Sequence, residues 1–123
     1  MNCIIVDDEP LARAEMRSLI AEISSMDVLG EFSNAPSALE FLKDNEVDLI
    51  FLDIEMPMVT GLEFVEMLPK KSLIIFTTAY SQYALKSYEL EAVDYLLKPI
   101  DPQRLKKAID KAVLYTELLS KDT

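Results

Sequence analysis

The chain has 123 residues, enough for one domain and too few for a second core, and its formal charge of −10 argues against nucleic-acid binding, because phosphate contacts need clustered Lys and Arg. It contains no histidine, which excludes Ser-His-Asp catalysis, a histidine phosphocarrier and every His-dependent metal site. Its strongest apolar runs are only about four residues long, too short for a membrane span or a signal peptide, so a soluble, cytoplasmic protein with no membrane partner is expected.

The first short apolar run, Cys3-Ile4-Ile5-Val6, predicts a buried strand that ends in the acidic cluster Asp7-Asp8-Glu9. The lone Cys3 can form no internal disulfide, fits a reducing compartment and is expected to serve core packing. Pro10 suits a first helical turn, and Ala12, Met16, Leu19, Ile20 and Ile23 recur at helical spacing to about Ser24, leaving Arg13, Glu15, Arg17 and Glu22 for the other side. Met26 to Ser33 predicts a weaker edge strand, interrupted by Gly30 and Glu31. A second helix opens at Asn34 or Ala35 before Pro36 and carries Ala38, Leu39, Phe41 and Leu42 to about Asn45.

Leu49-Ile50-Phe51-Leu52 is too short for a helix and predicts a strand buried on both faces, with Asp53 at its carboxyl end. Thr60-Gly61-Leu62-Glu63 has capping-box spacing and predicts a short helix stopping near Pro69. Leu73-Ile74-Ile75-Phe76 predicts a further buried strand ending in Thr77-Thr78-Ala79, and Ser81 to Leu90 a helix of weak amphipathicity. Asp94-Tyr95-Leu96-Leu97 predicts the last strand, closed by Lys98-Pro99, and Asp101-Pro102 caps a final helix with Leu105, Ala108, Ile109 and Ala112 inward. The two glycines, Gly30 and Gly61, cannot make a phosphate-cradling loop or a dinucleotide fingerprint.

Strands alternating with helices predict a doubly wound five-stranded parallel sheet with five helices, a flavodoxin-like three-layer αβα sandwich. Ligands bind such sheets outside the carboxyl ends of the strands, where Asp7, Asp8, Asp53, Thr77, Thr78 and Lys98 all fall. In the common order 2-1-3-4-5 the first and third strands are neighbours about 4.8 Å apart, which brings Asp8 close to Asp53. Crowded carboxylates repel, and a hard divalent cation relieves them; an all-oxygen site with room for water suits Mg²⁺. Carboxylate nucleophile, Mg²⁺, Lys98 ammonium and threonine hydroxyl together point to phosphoryl transfer to Asp53. Each residue alone has an ordinary explanation as a helix cap, a strand-end hydroxyl or a solvated lysine; their convergence on one sheet edge carries the reading.

Val6-Asp7-Asp8-Glu9, Leu52-Asp53-Ile54-Glu55-Met56-Pro57 with Gly61, Thr78-Ala79 and Tyr95-Leu96-Leu97-Lys98-Pro99 resemble, in order and spacing, the receiver domain of bacterial two-component response regulators over essentially the whole chain. The resemblance implies that Asp53 is the phosphoacceptor for a sensor histidine kinase, and that Mg²⁺ is held by Asp8, Asp53 and the Glu55 carbonyl, with Asp7 acting through water. It also implies that Thr78 and the Ala79 backbone contact the phosphoryl group, that Lys98 pairs with it, that Lys98-Pro99 is cis and that Tyr95 is an aromatic switch. Such a domain assists its own phosphorylation and dephosphorylation without being a classical enzyme.

The runs Phe76-Thr77-Thr78-Ala79-Tyr80 and Ala92 to Ile100 look especially like receivers of LytTR-type transcription regulators, which carry a C-terminal DNA-binding domain not included in this chain. The output surface implied is the Ser81 to Leu90 helix, the last strand and the last helix. There Arg104, Lys106, Lys107 and Lys111 could pair with acids of a second copy in a homodimer. The enzyme-class alternative is a Mg²⁺-dependent aspartyl-phosphate phosphatase. That family wants a second acid followed by Thr or Val, whereas Glu55 precedes Met56-Pro57.

Overall fold

A computed structural model describes residues 1–57, 59–69, 72–80 and 92–121. Five strands, β1 (Asn2–Val6), β2 (Asp27–Phe32), β3 (Leu49–Asp53), β4 (Leu73–Thr78) and β5 (Asp94–Leu97), form one parallel sheet in the order β2-β1-β3-β4-β5. Among the described residues the helices are α1 (Pro10–Ile23), α2 (Ala35–Asp44), α3 (Gly61–Glu66) and α4 (Pro102–Lys121). The helix expected over Ser81 to Leu90 lies outside the described residues.

Strand alternation divides the apolar residues between two cores, because successive side chains leave opposite faces of a sheet. Cys3 and Ile5, Leu49 and Phe51, Ile75 and Leu96 pack with Met16 and Ile20 of α1 and with Leu105, Ala108, Ile109 and Ala112 of α4. Ile4 and Val6, Ile50 and Leu52, Ile74 and Phe76 pack on the other face with Ala35, Ala38 and Leu42 of α2 and Phe64 of α3. The central strands are buried on both faces, as their continuous apolar runs require, whereas β2 alternates exposed and half-buried residues at the sheet edge. Cys3 is fully buried, and burial pushes its thiol up to about 12, so it is unreactive packing. No described helix is long and apolar enough to cross a membrane.

Local signals set the helix boundaries. Asn34 caps α2 by accepting from the Ser37 N–H at 2.9 Å, and Thr60 and Glu63 form the expected capping box on α3. α3 ends at Glu66, ahead of Pro69, because Met67 and Leu68 donate back to Phe64 and Val65 in tighter turns than an α-helix makes. Asp101 starts α4 by accepting from the Arg104 N–H at 2.9 Å.

Arg104 then locks α4 to β5. Its guanidinium donates to both Asp94 carboxylate oxygens, at 2.9 and 2.6 Å, and to the Tyr95 carbonyl at 3.1 Å, and it lies 5.8 Å from the centre of the Tyr95 ring. Of the residues expected to present a basic face, Arg104 is engaged within its own chain and Lys106 pairs with Asp110 at 3.4 Å, while Lys107 is exposed and Lys111 half-buried. Arginine's reach and planar fork made an internal partner available that helical spacing did not indicate.

Burial alone would raise the Asp94 carboxyl, but the Arg104 hydrogen bonds, the Tyr95 N–H and the charges of Arg104 and Lys111 outweigh it and hold the group below its ordinary value. A depressed native value means that the stabilisation is fully present above the unfolded value, about 3.9, and is lost as pH falls through the native one. Asp94→Asn should therefore lower stability at neutral pH by about 1–3 kcal/mol and flatten the acid limb of the stability profile, read by urea unfolding across pH.

Candidate functional site at the carboxyl edge of the sheet

Asp53 is the last residue of β3, opposite Thr77 of β4, and shares the sheet face of Leu49 and Phe51. Asp7 directly follows β1 and extends its pairing, donating its N–H to the Phe32 carbonyl at 3.0 Å. Since β1 and β3 are neighbours in register, the two acids end adjacent strands. Asp7, Asp8 and Asp53 each present a carboxylate oxygen, all within 4.8 Å of one another. Asp7 and Asp53 are 5% and 4% exposed, so water screens their repulsion poorly.

Lys98 answers this crowding from the end of β5. Its ammonium lies 2.9 Å from Asp7 Oδ2, 3.6 Å from Glu9 Oε1 and 3.8 Å from Asp53 Oδ2, and the Lys98-Pro99 peptide bond is cis. Burial would lower the lysine, but the Asp7 hydrogen bond and the charges of Asp53, Asp7 and Glu9 raise it above its ordinary value, so it stays charged. Asp53 moves the other way: burial pushes it up to about 6, opposed by the Glu55 N–H at 3.1 Å, with Asp7 raising it, Lys98 lowering it and Asp8 raising it further. One ammonium facing Asp7, Glu9 and Asp53, with Asp8 beside them, leaves a surplus of negative charge. A largely buried all-oxygen donor set with that surplus fits a hard divalent cation of the Mg²⁺ type.

The other predicted residues surround this cluster. Thr78 is 1% exposed, and its Oγ1 accepts from the Tyr80 N–H at 3.0 Å and lies 3.4 Å from Glu55 Oε1. Its hydroxyl is thus turned to Glu55 and Tyr80 rather than to Asp53. Glu55 is exposed, as expected, yet its carboxylate contact with Thr78 has no counterpart in the sequence pattern. Tyr95 is half-buried beside Phe76, on the face of the sheet that Thr78 shares. A cleft of about 420 Å³ opens beside the cluster between Glu9, Leu11, Thr77, Ala79 and Lys98.

Two further residues shape the site, one of them, Arg13, without having been singled out for it by sequence. Arg13, placed by helical spacing on the solvent side of α1, donates from its guanidinium to the Asp7 carbonyl at 2.7 Å. Gly61 starts α3 so close to β3 that a Cβ there would stand 2.6 Å from Ile54 Cα and 2.7 Å from the Asp53 carbonyl oxygen, both backbone atoms, while its N–H donates to the Ile54 carbonyl at 2.7 Å.

A family model described as the response regulator receiver domain matches residues 3–110, and the chain belongs to that family. It is 46% identical over 111 residues to the transcriptional regulatory protein BtsR of Escherichia coli (strain K12), a match covering 89% of this chain and 46% of that protein. It is 42% identical over 113 residues to an uncharacterized response regulatory protein of Vibrio vulnificus (strain CMCP6), covering 90% of this chain and 47% of that one. The chain thus spans about half the length of these curated relatives. Among solved structures it resembles the response regulatory domain of protein mrkE from Klebsiella pneumoniae, with 38% identity, a TM-score of 0.87 and coverage of 96% of this chain and 99% of that one. It also resembles the REC domain of AraT, a response regulator from Geobacillus stearothermophilus, with 35% identity, a TM-score of 0.83 and 97% coverage of each chain.

Because the atoms crowding Gly61 are backbone and cannot rotate away, Gly61→Ala must move the segment that carries Asp53. The variant should lose about 1–3 kcal/mol in urea unfolding relative to the wild type.

Proposed function

We propose that residues 1–123 are a receiver domain that acts as a phosphoacceptor switch, with Asp53 as the phosphorylated residue and a sensor histidine kinase as the donor. The observation that carries this reading is the convergence of Asp7, Asp8 and Asp53 within 4.8 Å, with the Lys98 ammonium among them, at the carboxyl edge of the sheet. Asp8, Asp53 and the Glu55 carbonyl would hold Mg²⁺, with Asp7 contributing through water. Bound there, Mg²⁺ would neutralise charge on the phosphoryl oxygens.

An Asp53 carboxylate oxygen attacks phosphorus in line as the phosphorus–nitrogen bond of the donor phosphohistidine breaks, leaving an acyl phosphate on Asp53 and returning the electron pair to the imidazole. Lys98 shifts from its carboxylate partners toward the new phosphoryl charge, and Thr78 and the Ala79 N–H donate to its remaining oxygens. Raising Asp53 by burial makes its free anion less comfortable, which favours metal binding and derivatisation over an unpaired charge. Incubation with acetyl phosphate and Mg²⁺ should add one phosphoryl group by intact mass, and Asp53→Asn should abolish it. Asp8→Ala should weaken Mg²⁺ binding while keeping a cooperative melt, since it removes a ligand and relieves crowding. Sustained phosphate release without an accumulating adduct would favour a phosphatase instead.

The output follows from the Thr78 side of the sheet. Drawing the Thr78 hydroxyl to the phosphoryl group takes it from Glu55 and Tyr80 and opens space for the Tyr95 ring beside Phe76. That changes the surface carrying Tyr95 and α4, through which the phosphorylated chain forms a homodimer. The chain's place in a cytoplasmic transcription regulator of the LytTR type, ahead of a DNA-binding domain, is supported by the Phe76 to Tyr80 and Ala92 to Ile100 motifs and by its 46% identity with a protein named as a transcriptional regulator. Beryllofluoride with Mg²⁺, which mimics the phosphoryl group, should shift the wild type from monomer to dimer in sedimentation velocity. Thr78→Ala should blunt the shift; equal dimerisation by the variant would break the proposed coupling.

A further inference from the structure

We infer that Arg13 is a positioning residue of the acidic site: by holding the Asp7 carbonyl it orients the peptide unit that joins Asp7 to Asp8, and with it the carboxylates that bind the metal. The inference rests on the Mg²⁺ role proposed above and extends it to a residue on the first helix.

The carbonyl oxygen of Asp7 belongs to the planar unit whose other end is the Asp8 nitrogen, so anchoring that oxygen restrains ψ of Asp7 and φ of Asp8 together. Arg13 anchors it at 2.7 Å, a charge-assisted bond in a half-buried setting. The helix itself sets the arginine's approach, because the Arg13 N–H donates to the Glu9 carbonyl at 3.1 Å in the first turn of α1. Glu31 on β2 steers the guanidinium from outside, 3.9 Å from Arg13 Nε, and is itself held by Arg17 at 2.8 Å. The Arg13 side chain is only 19% exposed, so it is confined between the edge strand and the loop.

The Asp7 side chain is anchored independently: Oδ1 accepts from the Glu9 N–H at 2.9 Å and Oδ2 from Lys98 at 2.9 Å. Arg13 therefore adds the restraint that side-chain bonds cannot supply, on the backbone between the two acids. Asp8, which follows that peptide, depends on it for its direction.

Electrostatics and positioning predict opposite signs, which makes the role testable. Deleting a cation near the carboxylates strengthens their field and should tighten Mg²⁺ binding; releasing the peptide plane should weaken it. Mg²⁺ affinity of the 123-residue chain would be measured by calorimetric titration, with thermal melting in the absence of Mg²⁺ as a separate readout. Arg13→Met, which keeps the aliphatic stem, should weaken Mg²⁺ binding about tenfold. Arg17→Met, which loses only a Glu31 contact, should stay within about twofold of the wild type. Unchanged or tighter binding by Arg13→Met, or equal weakening by both variants, overturns the inference, as does a lowered melting temperature with unaltered affinity. If Arg13→Met does not melt cooperatively, Arg13→Gln is judged by the same criteria, and failure of both to fold overturns the positioning role. A wild type that binds no Mg²⁺ overturns the metal reading itself and is distinguished by needing no variant.

Discussion

Two nearly buried carboxylates, Asp7 and Asp53, end adjacent strands of one parallel sheet, and their mutual repulsion is the constraint around which the carboxyl edge is arranged. In a medium of low polarisability such charges interact strongly, and the chain meets the cost with a small set of oriented groups: the Lys98 ammonium, the Glu9 and Glu55 N–H groups and the Arg13 guanidinium. None of these neutralises the cluster completely. Burial, with the charge of Asp7 adding to it, leaves Asp53 raised to about 6, and the incomplete compensation leaves the donor set suited to a divalent cation. A better-paired site would be more stable and chemically idle, the usual opposition between stability and function.

The rest of the fold serves this edge. Continuous apolar runs on β1, β3 and β4 bury both faces of the sheet, so the strand ends are delivered by a rigid centre with little freedom to relax the crowding. The tight join at Gly61 and the capping box on α3 fix the exit from Asp53, while Pro10 and the first turn of α1 fix the exit from Asp7. The Arg104 fork holds β5, and hence the strand that leads to Lys98, against α4.

Much of this was legible from sequence because it depends on patterns with short periods. Strand runs ending in Asp7, Asp53, Thr78 and just before Lys98 specify both the elements and the side of the sheet on which polar residues gather, and the structure brings Asp7, Asp8 and Asp53 together as expected. What sequence missed involves long side chains whose ends reach well beyond their own backbone position. Charge and helical spacing place Arg13 on the polar side of α1, yet its guanidinium reaches a backbone oxygen of the site. Arg104 likewise turned inward to Asp94, and the Glu55 carboxylate reached Thr78. Periodicity gives the direction in which a side chain leaves the backbone and says nothing of where a flexible arm ends.

The split of the interior into two cores has a further consequence. Asp53 and Thr77 belong to the face shared with α1 and α4, whereas Thr78, Phe76 and Tyr95 belong to the face shared with α2 and α3. The sheet backbone separates the side chains of the two faces. The two compartments communicate around the open rim, where the consecutive residues Thr77 and Thr78 point to opposite sides of a single backbone. That pair is a covalent link between the two faces at the rim, so a shift of its backbone is felt by side chains on both sides of the sheet.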